Sequence, residues 1–206
     1  EFLRATGIYE DFYYLSENAG LTDFLRDQRE QYLLLTNIFV QNFYFHAKKS
    51  PPSVEFHLYD EVREMSLYDF CGVCKIPFDG SIEEPHRSDV DGFIDRIVVG
   101  EMRKVPDARI TSIHFPVLRY FAIFASRCLI GRGNSGNLSV PDIIMLQHAL
   151  LGDNSFNTGA VIAKRLPLIV QKAPYLEVSM LHVLLDIFRY PLGTMRKRRQ
   201  YFLPTV

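Results

Sequence analysis

The stretch from Pro116 to Ile130 (PVLRYFAIFASRCLI) constrains the fold more than any other part of this chain. Leu118, Phe121, Ala122, Ala125, Cys128 and Leu129 stand at i, i+3, i+4, i+7, i+10 and i+11, one face of an α-helix, and Pro116 suits its first turn. Ile123, Phe124 and Ile130 make the other faces apolar too. Such a helix must be covered on nearly every side, which places it at the centre of a core. Arg119 and Arg127 interrupt it, and it is shorter than the about 20 apolar residues that span a bilayer, so it predicts no transmembrane segment.

The chain has enough material to cover that helix. Of its 206 residues 48% are hydrophobic and 23% charged, the composition of an ordinary folded protein, and a chain of this length buries roughly 70% of its unfolded surface. One domain is expected, or two small ones.

Upstream, Ile8, Phe12, Leu15 and Ala19 recur at helical spacing and stop at Gly20, and a second helix is expected from Thr22 through Leu25, Arg29 and Tyr32. Residues 33–46 (LLLTNIFVQNFYFH) combine aromatic and β-branched types, so helix and strand compete there. After the break at Lys48-Lys49-Ser50-Pro51-Pro52, Val54, Phe56 and Leu58 alternate with polar neighbours. Tyr59-Asp60-Glu61 can turn, and Val62 to Met65 can return as a second strand. Ser66 is placed to cap a helix carrying Leu67, Phe70, Val73 and Cys74 on one face, ended by Pro77. Downstream of the central helix, Ser139 caps another with Pro141 just inside, and 157–166 and 176–189 read as two more.

These elements predict a mainly helical α+β protein, a small β-hairpin packed on a helical bundle. Its parts are a mixed helix and hairpin region (1–76), an acidic Pro/Gly connector (77–92), a helical region (93–190) and a basic tail (191–206), forming one composite domain. The absent initiator Met and the abrupt end at Val206 lead us to expect a fragment of a longer protein.

Charge is divided unevenly. Residues 1–100 hold 9 Lys+Arg against 18 Asp+Glu, and 101–206 hold 14 against 6, so the halves carry −9 and +8. That pattern fits a polar partner surface or mutual attraction of the halves. Cys71, Cys74 and Cys128 cannot all pair within the chain, and the N-terminus lacks a basic segment followed by an apolar run. An intracellular protein, nuclear or cytoplasmic and not secreted, is expected, in which the acceptor pattern Asn137-Leu138-Ser139 lies idle.

Motifs for chemistry are sparse. Gly131-Arg132-Gly133-Asn134-Ser135-Gly136 satisfies the dinucleotide-binding pattern, but it follows a helix where a strand is needed, so it reads as a Gly-rich helix end and loop. Cys71-Gly72-Val73-Cys74 lies some five residues past the proposed cap, whereas a redox pair needs its first thiol at a helix N-terminus. Zinc would need two more ligands, which only folding could bring from His57, His86 or Cys128; the simpler reading is a pair of buried cysteines. Asp79, Glu83, Glu84, Asp89, Asp91 and Asp95 read as a solvated acidic segment, with a catalytic or Ca²⁺-binding set as the alternative. The six histidines are scattered and no nucleophile or phosphate-loop signature occurs, so no catalytic residue, metal ligand, cofactor or small-molecule substrate is identified. Arg196-Lys197-Arg198-Arg199 is the one basic run that could contact phosphates or serve nuclear import.

The segments RITSIHFPVLRYFAIFASRCLIGRGNSG and LSVPDIIMLQHALLGDNSFNTGAVIAKRL, with VEFHLYDEVREMSLYDFCGVCKIPFDG before them, resemble the Athila-type plant retrotransposon first-open-reading-frame protein, in its Arabidopsis retrotransposon Orf-one C-terminal domain. The resemblance spans roughly 8–168 and rests most on Leu118, Arg119, Tyr120, Gly131, Arg132, Gly133 and Asp142, with Gly159, Ala160, Arg165 and Leu166 behind them. It implies a retroelement-encoded protein without a recognised catalytic constellation, for which a Gag-like structural or self-associating role is the first expectation. A nucleic-acid-associated nuclear protein and a small enzyme assembled by folding are the alternatives.

From about Pro167 the pattern departs. The family leads us to expect a His-Tyr-Glu-Lys-Glu-Glu type segment where this chain reads Thr194-Met195-Arg196-Lys197-Arg198-Arg199. The nucleotide string CACTATGAGAAAGAGGAGA encodes the former in one frame and the latter in the next. The expectation is therefore a frameshifted, decaying copy, in which the basic run is an accident of frame. Without those four residues the back half falls to +4.

Overall fold

A computed structural model of the chain describes residues 1–26, 33–58, 61–83, 85–100, 107–132, 136–152 and 155–170. The chain opens with α1 (Phe2–Ala5), α2 (Tyr9–Asn18), α3 (Thr22–Arg26) and α4 (Leu33–Gln41). Strands β1 (Phe43–His46), β2 (Ser53–Leu58) and β3 (Glu61–Ser66) follow, then α5 (Leu67–Cys74) and α6 (Arg87–Ile97). Next come α7 (Pro116–Phe124), a wide π turn (Ala125–Leu129), α8 (Val140–Leu151) and α9 (Thr158–Val170). This is a mainly helical α+β fold with a small antiparallel sheet, as the periodicities predict. Among the described residues no helix is long and apolar enough to cross a membrane.

The competition within 33–46 resolves into both outcomes. Apolar Leu33–Gln41 is α4, and Phe43–His46 becomes a third strand, which pairs Phe43 with Phe56 and Phe45 with Val54. The sheet order is β1-β2-β3, so the expected hairpin is its β2-β3 half. The expected Tyr59-Asp60 turn and the expected helix over 27–32 lie outside the described residues. Alternation gives the sheet a dry face and a wet one. Phe43, Val54 and Phe56 are buried on the dry side, where Phe39 of α4 stands 5.2 Å from Phe43 and 5.1 Å from Phe56, and Phe70 of α5 stands 5.7 Å from Phe43.

Ser66 caps α5 as its position predicts: its Oγ accepts from the Asp69 amide at 3.0 Å. The helix stops at Cys74, with Lys75 in the left-handed region (φ 55), before Pro77 is reached. Cys71 rather than Val73 joins Leu67, Phe70 and Cys74 among its buried residues.

One boundary is corrected. The acidic connector is shorter than 77–92, because α6 starts at Arg87 and turns Val90, Phe93, Ile94 and Ile97 inward on one helical face. The front and back regions also interleave around one continuous core. Asn18 Nδ2 donates to the Ala149 carbonyl at 3.0 Å, Ser81 pairs with Phe156, and α9 packs on α4, α5 and β1. Gly20 (φ 66) lies so close to Pro77 that a Cβ there would sit 2.6 Å from its Cγ, which ties the end of α2 to the segment after α5.

The centre of the helical layer is α8. Eight of its twelve residues are buried, against three of nine in α7, and α2, α6 and α7 pack around it. Phe121 is wholly buried in a nest with Phe12 (5.8 Å) and Phe124 (5.9 Å), but α7 keeps Arg119, Tyr120, Ile123 and Phe124 only half-covered. The π turn explains a further departure. Ile130 N donates to the Ala125 carbonyl at 2.9 Å, an i to i+5 bond that inserts about one residue into the helical phase. Ser126 and Ile130 therefore turn inward, and Cys128 is left half-exposed.

Candidate functional site

Of the residues that carry the resemblance, Arg132 and Asp142 meet. Gly131 (φ 68) reverses the chain after the π turn, and the Arg132 amide donates to the Ser126 carbonyl at 2.8 Å. Arg132 Nη1 then donates to Asp142 Oδ2, and Nη2 donates to the Asn137 carbonyl at 3.0 Å. Asp142 stands in the first turn of α8, where a Ser-x-x-acidic spacing builds a reciprocal cap. Its Oδ2 accepts from the Ser139 amide at 2.7 Å and from the Ser139 hydroxyl at 2.6 Å.

The Asp142 side chain is 0% exposed and that of Arg132 28%. Burial drives the Asp142 carboxyl above its ordinary value, against the opposing pull of Arg132, Ser139 and Ser126. The pair thus closes a turn and caps a helix, with its carboxylate buried beneath the part-exposed guanidinium.

The other signature residues are architectural as well. Leu118 is buried. Arg119 Nη2 donates to the Ile113 carbonyl at 2.9 Å. Tyr120 stacks on Phe2 (5.6 Å) and meets Phe12 edge-on (5.6 Å). Gly133, Arg196, Lys197, Arg198 and Arg199 lie outside the described residues, as does the expected helix over 176–189.

Cys71 and Cys74 are buried near the C-terminal end of α5. Burial pushes the Cys71 thiol up to about 12 and the Cys74 thiol well above its ordinary value, so neither is poised as a thiolate. Cys71 Sγ instead fills a packing role, since a Cβ at Gly159 of α9 would come within 2.1 Å of it. His57, His86 and Cys128 do not join them; among the described residues no group of three or more His, Cys, Asp or Glu could hold a metal. Of the acidic stretch, Asp79, Glu83 and Asp95 are exposed, and Glu84 lies outside the described residues.

The wet face of the sheet gathers more titratable groups than the motifs disclosed. His46 Nε2 lies 3.1 Å from Glu55 Oε2, and His57 Nε2 lies 3.8 Å from Glu55 Oε1. Lys49 Nζ and the Ser53 hydroxyl both donate to Glu64 Oε1, at 2.6 and 2.5 Å, and hold its carboxyl below the ordinary value, Lys49 more strongly. The strand alternation that puts Ser53, Glu55 and His57 on one face was the signal for this cluster. His46, the partner across β1, depended on a strand that periodicity left ambiguous.

Comparison of the chain with protein-family models, with curated proteins and with solved structures finds no match in any of the three.

Proposed function

We propose that this chain is a non-enzymatic, Athila-type plant retrotransposon-encoded protein with a Gag-like structural role exercised through self-association inside the cell. The observation that carries this reading is the mutual engagement of Arg132 and Asp142. Two charged residues central to the resemblance bind each other and a helix cap instead of facing a substrate. Large apolar side chains at the surface support an associating role: Tyr14, Val62, Tyr68 and Leu151 are all more than half exposed.

Size-exclusion chromatography with light scattering at two protein concentrations tests it. The reading expects mass to rise with concentration; a strict monomer at high concentration that retains no RNA contradicts it.

The run Arg196-Lys197-Arg198-Arg199 favours a second reading, nuclear association with nucleic acid. That reading requires DNA or RNA affinity that falls with added salt, and affinity that is absent or insensitive to salt rejects it. Translating all frames of the underlying gene distinguishes the two. An acidic continuation in the neighbouring frame makes the basic run a frameshift product of a decaying copy.

A further inference from the structure

Arg132 links the chain on either side of residues 133–135. Its guanidinium reaches forward to the Asn137 carbonyl, and Asn137 pairs in turn with Arg109. Either side of that bridge, Ile110 N donates to the Gly136 carbonyl at 3.0 Å and Leu138 N to the Ala108 carbonyl at 2.7 Å. Asp142 anchors the guanidinium through Oδ2 alone. Its Oδ1 is buried and completes no hydrogen bond, and the same holds for the buried hydroxyl of Ser126, which lies close enough to act on this carboxyl.

We propose that Arg132 and Asp142 form a proton-operated latch: ionised Asp142 holds Arg132 against the Asn137 carbonyl, and a proton taken up from solvent on Oδ1 releases Arg132 while the α8 cap stays in place. The buried polar atoms make both states tenable. A serine hydroxyl donates to a carboxylate or accepts from a carboxylic acid, so Ser126 serves Asp142 in either form. Oδ2 keeps its two bonds from Ser139 throughout. Released Arg132, already part-exposed, moves to water, whereas Asp142 cannot.

The groups acting on Asp142 are Arg132 from the turn, Ser126 from the π turn and Ser139 from the cap of α8. His148, six residues on, projects about 240° around the helix, with Nδ1 3.3 Å from Thr158 Oγ1. Burial already favours the neutral acid, which brings the release toward accessible pH. The latch is independent of whether the chain self-associates.

Asp142→Asn imitates the protonated form. In the full chain at neutral pH, trypsin should cut this variant after Arg132 about tenfold faster than wild type, with an unchanged thermal midpoint and unchanged cutting elsewhere. Equal rates at Arg132 overturn the proposal, and so does acceleration at every site, which would make Asp142 a determinant of the whole fold. Hydrogen exchange on the wild type, corrected for intrinsic pH dependence, gives a second readout. As pH falls from neutral through the raised value of Asp142, the Arg132 amide should lose protection while the Ser139 amide and the interior of α8 keep theirs. Protection that is independent of pH, or lost along all of α8 together, overturns the latch.

Discussion

Phe121 and Asp142 are both wholly buried, on helices α7 and α8 that pack together, but opposite chemistry holds them there. Phe121 sits among rings that ask only for contact, so its burial stabilises in proportion to area, about 1.5–3 kcal/mol for such a side chain. Asp142 has lost its water, and three neighbouring residues, Arg132, Ser139 and Ser126, offset that loss. The aromatic nest makes α7 adhere. The polar clamp adds little net stability and instead fixes where the chain turns and where α8 begins.

The largest break in this comparison is a charge in the aromatic nest. Phe121→Asp has no partner to offset desolvation and should abolish the cooperative unfolding of the helical layer, monitored by circular dichroism and urea titration. A soluble variant with full helicity would show that Phe121 is not at a core position. Next is the clamp, which should respond unequally to its two halves. Arg132→Ala strands a buried carboxylate and should cost about 3 kcal/mol at neutral pH, whereas Asp142→Asn should stay within about 1 kcal/mol because Arg132 can reach water. Equal losses in urea titrations would remove the distinction between the buried and the exposed partner.

A smaller effect tests packing without charge. Gly159→Ala drives a methyl against Cys71 Sγ and should cost about 1–3 kcal/mol, and adding Cys71→Ala should restore most of the loss. No recovery in that double-mutant cycle would mean the two helices meet elsewhere. The smallest effect belongs to the wet face of the sheet. Lys49→Met should let Glu64 titrate at higher pH, as followed by carboxyl ¹³C NMR. The support that Glu64 gives through its lowered value exists at neutral pH and is lost as pH falls through that value, and high exposure keeps it slight. An unmoved Glu64 titration would show that the Lys49 contact has no influence in solution.

Much of this fold was legible because periodicity and caps agree. Ser66 and Ser139 announced α5 and α8, and the alternation of Val54 and Phe56 announced β2. What escaped lay in features that no local pattern encodes. The π turn at Ala125–Leu129 shifts the buried face by one residue, so Cys128 could not be placed from spacing alone. α8 carries no fewer apolar residues than α7, and its central place follows from three helices converging on it, which no spacing within either helix discloses. For the site, the Ser139 cap was legible and the reach of Arg132 back to Asp142 was not, since it depends on the left-handed turn at Gly131.

The most direct test of the claim that Asp142 is buried at a cost offset by Arg132 is the stability of Arg132→Ala, relative to wild type, as a function of pH. The folded carboxyl lies above its unfolded value, and removing Arg132 raises it further, so the variant takes up a proton on folding between those values. The account predicts that its deficit is largest at neutral pH and shrinks as pH falls through the raised folded value. A deficit of the same size at every pH would contradict it.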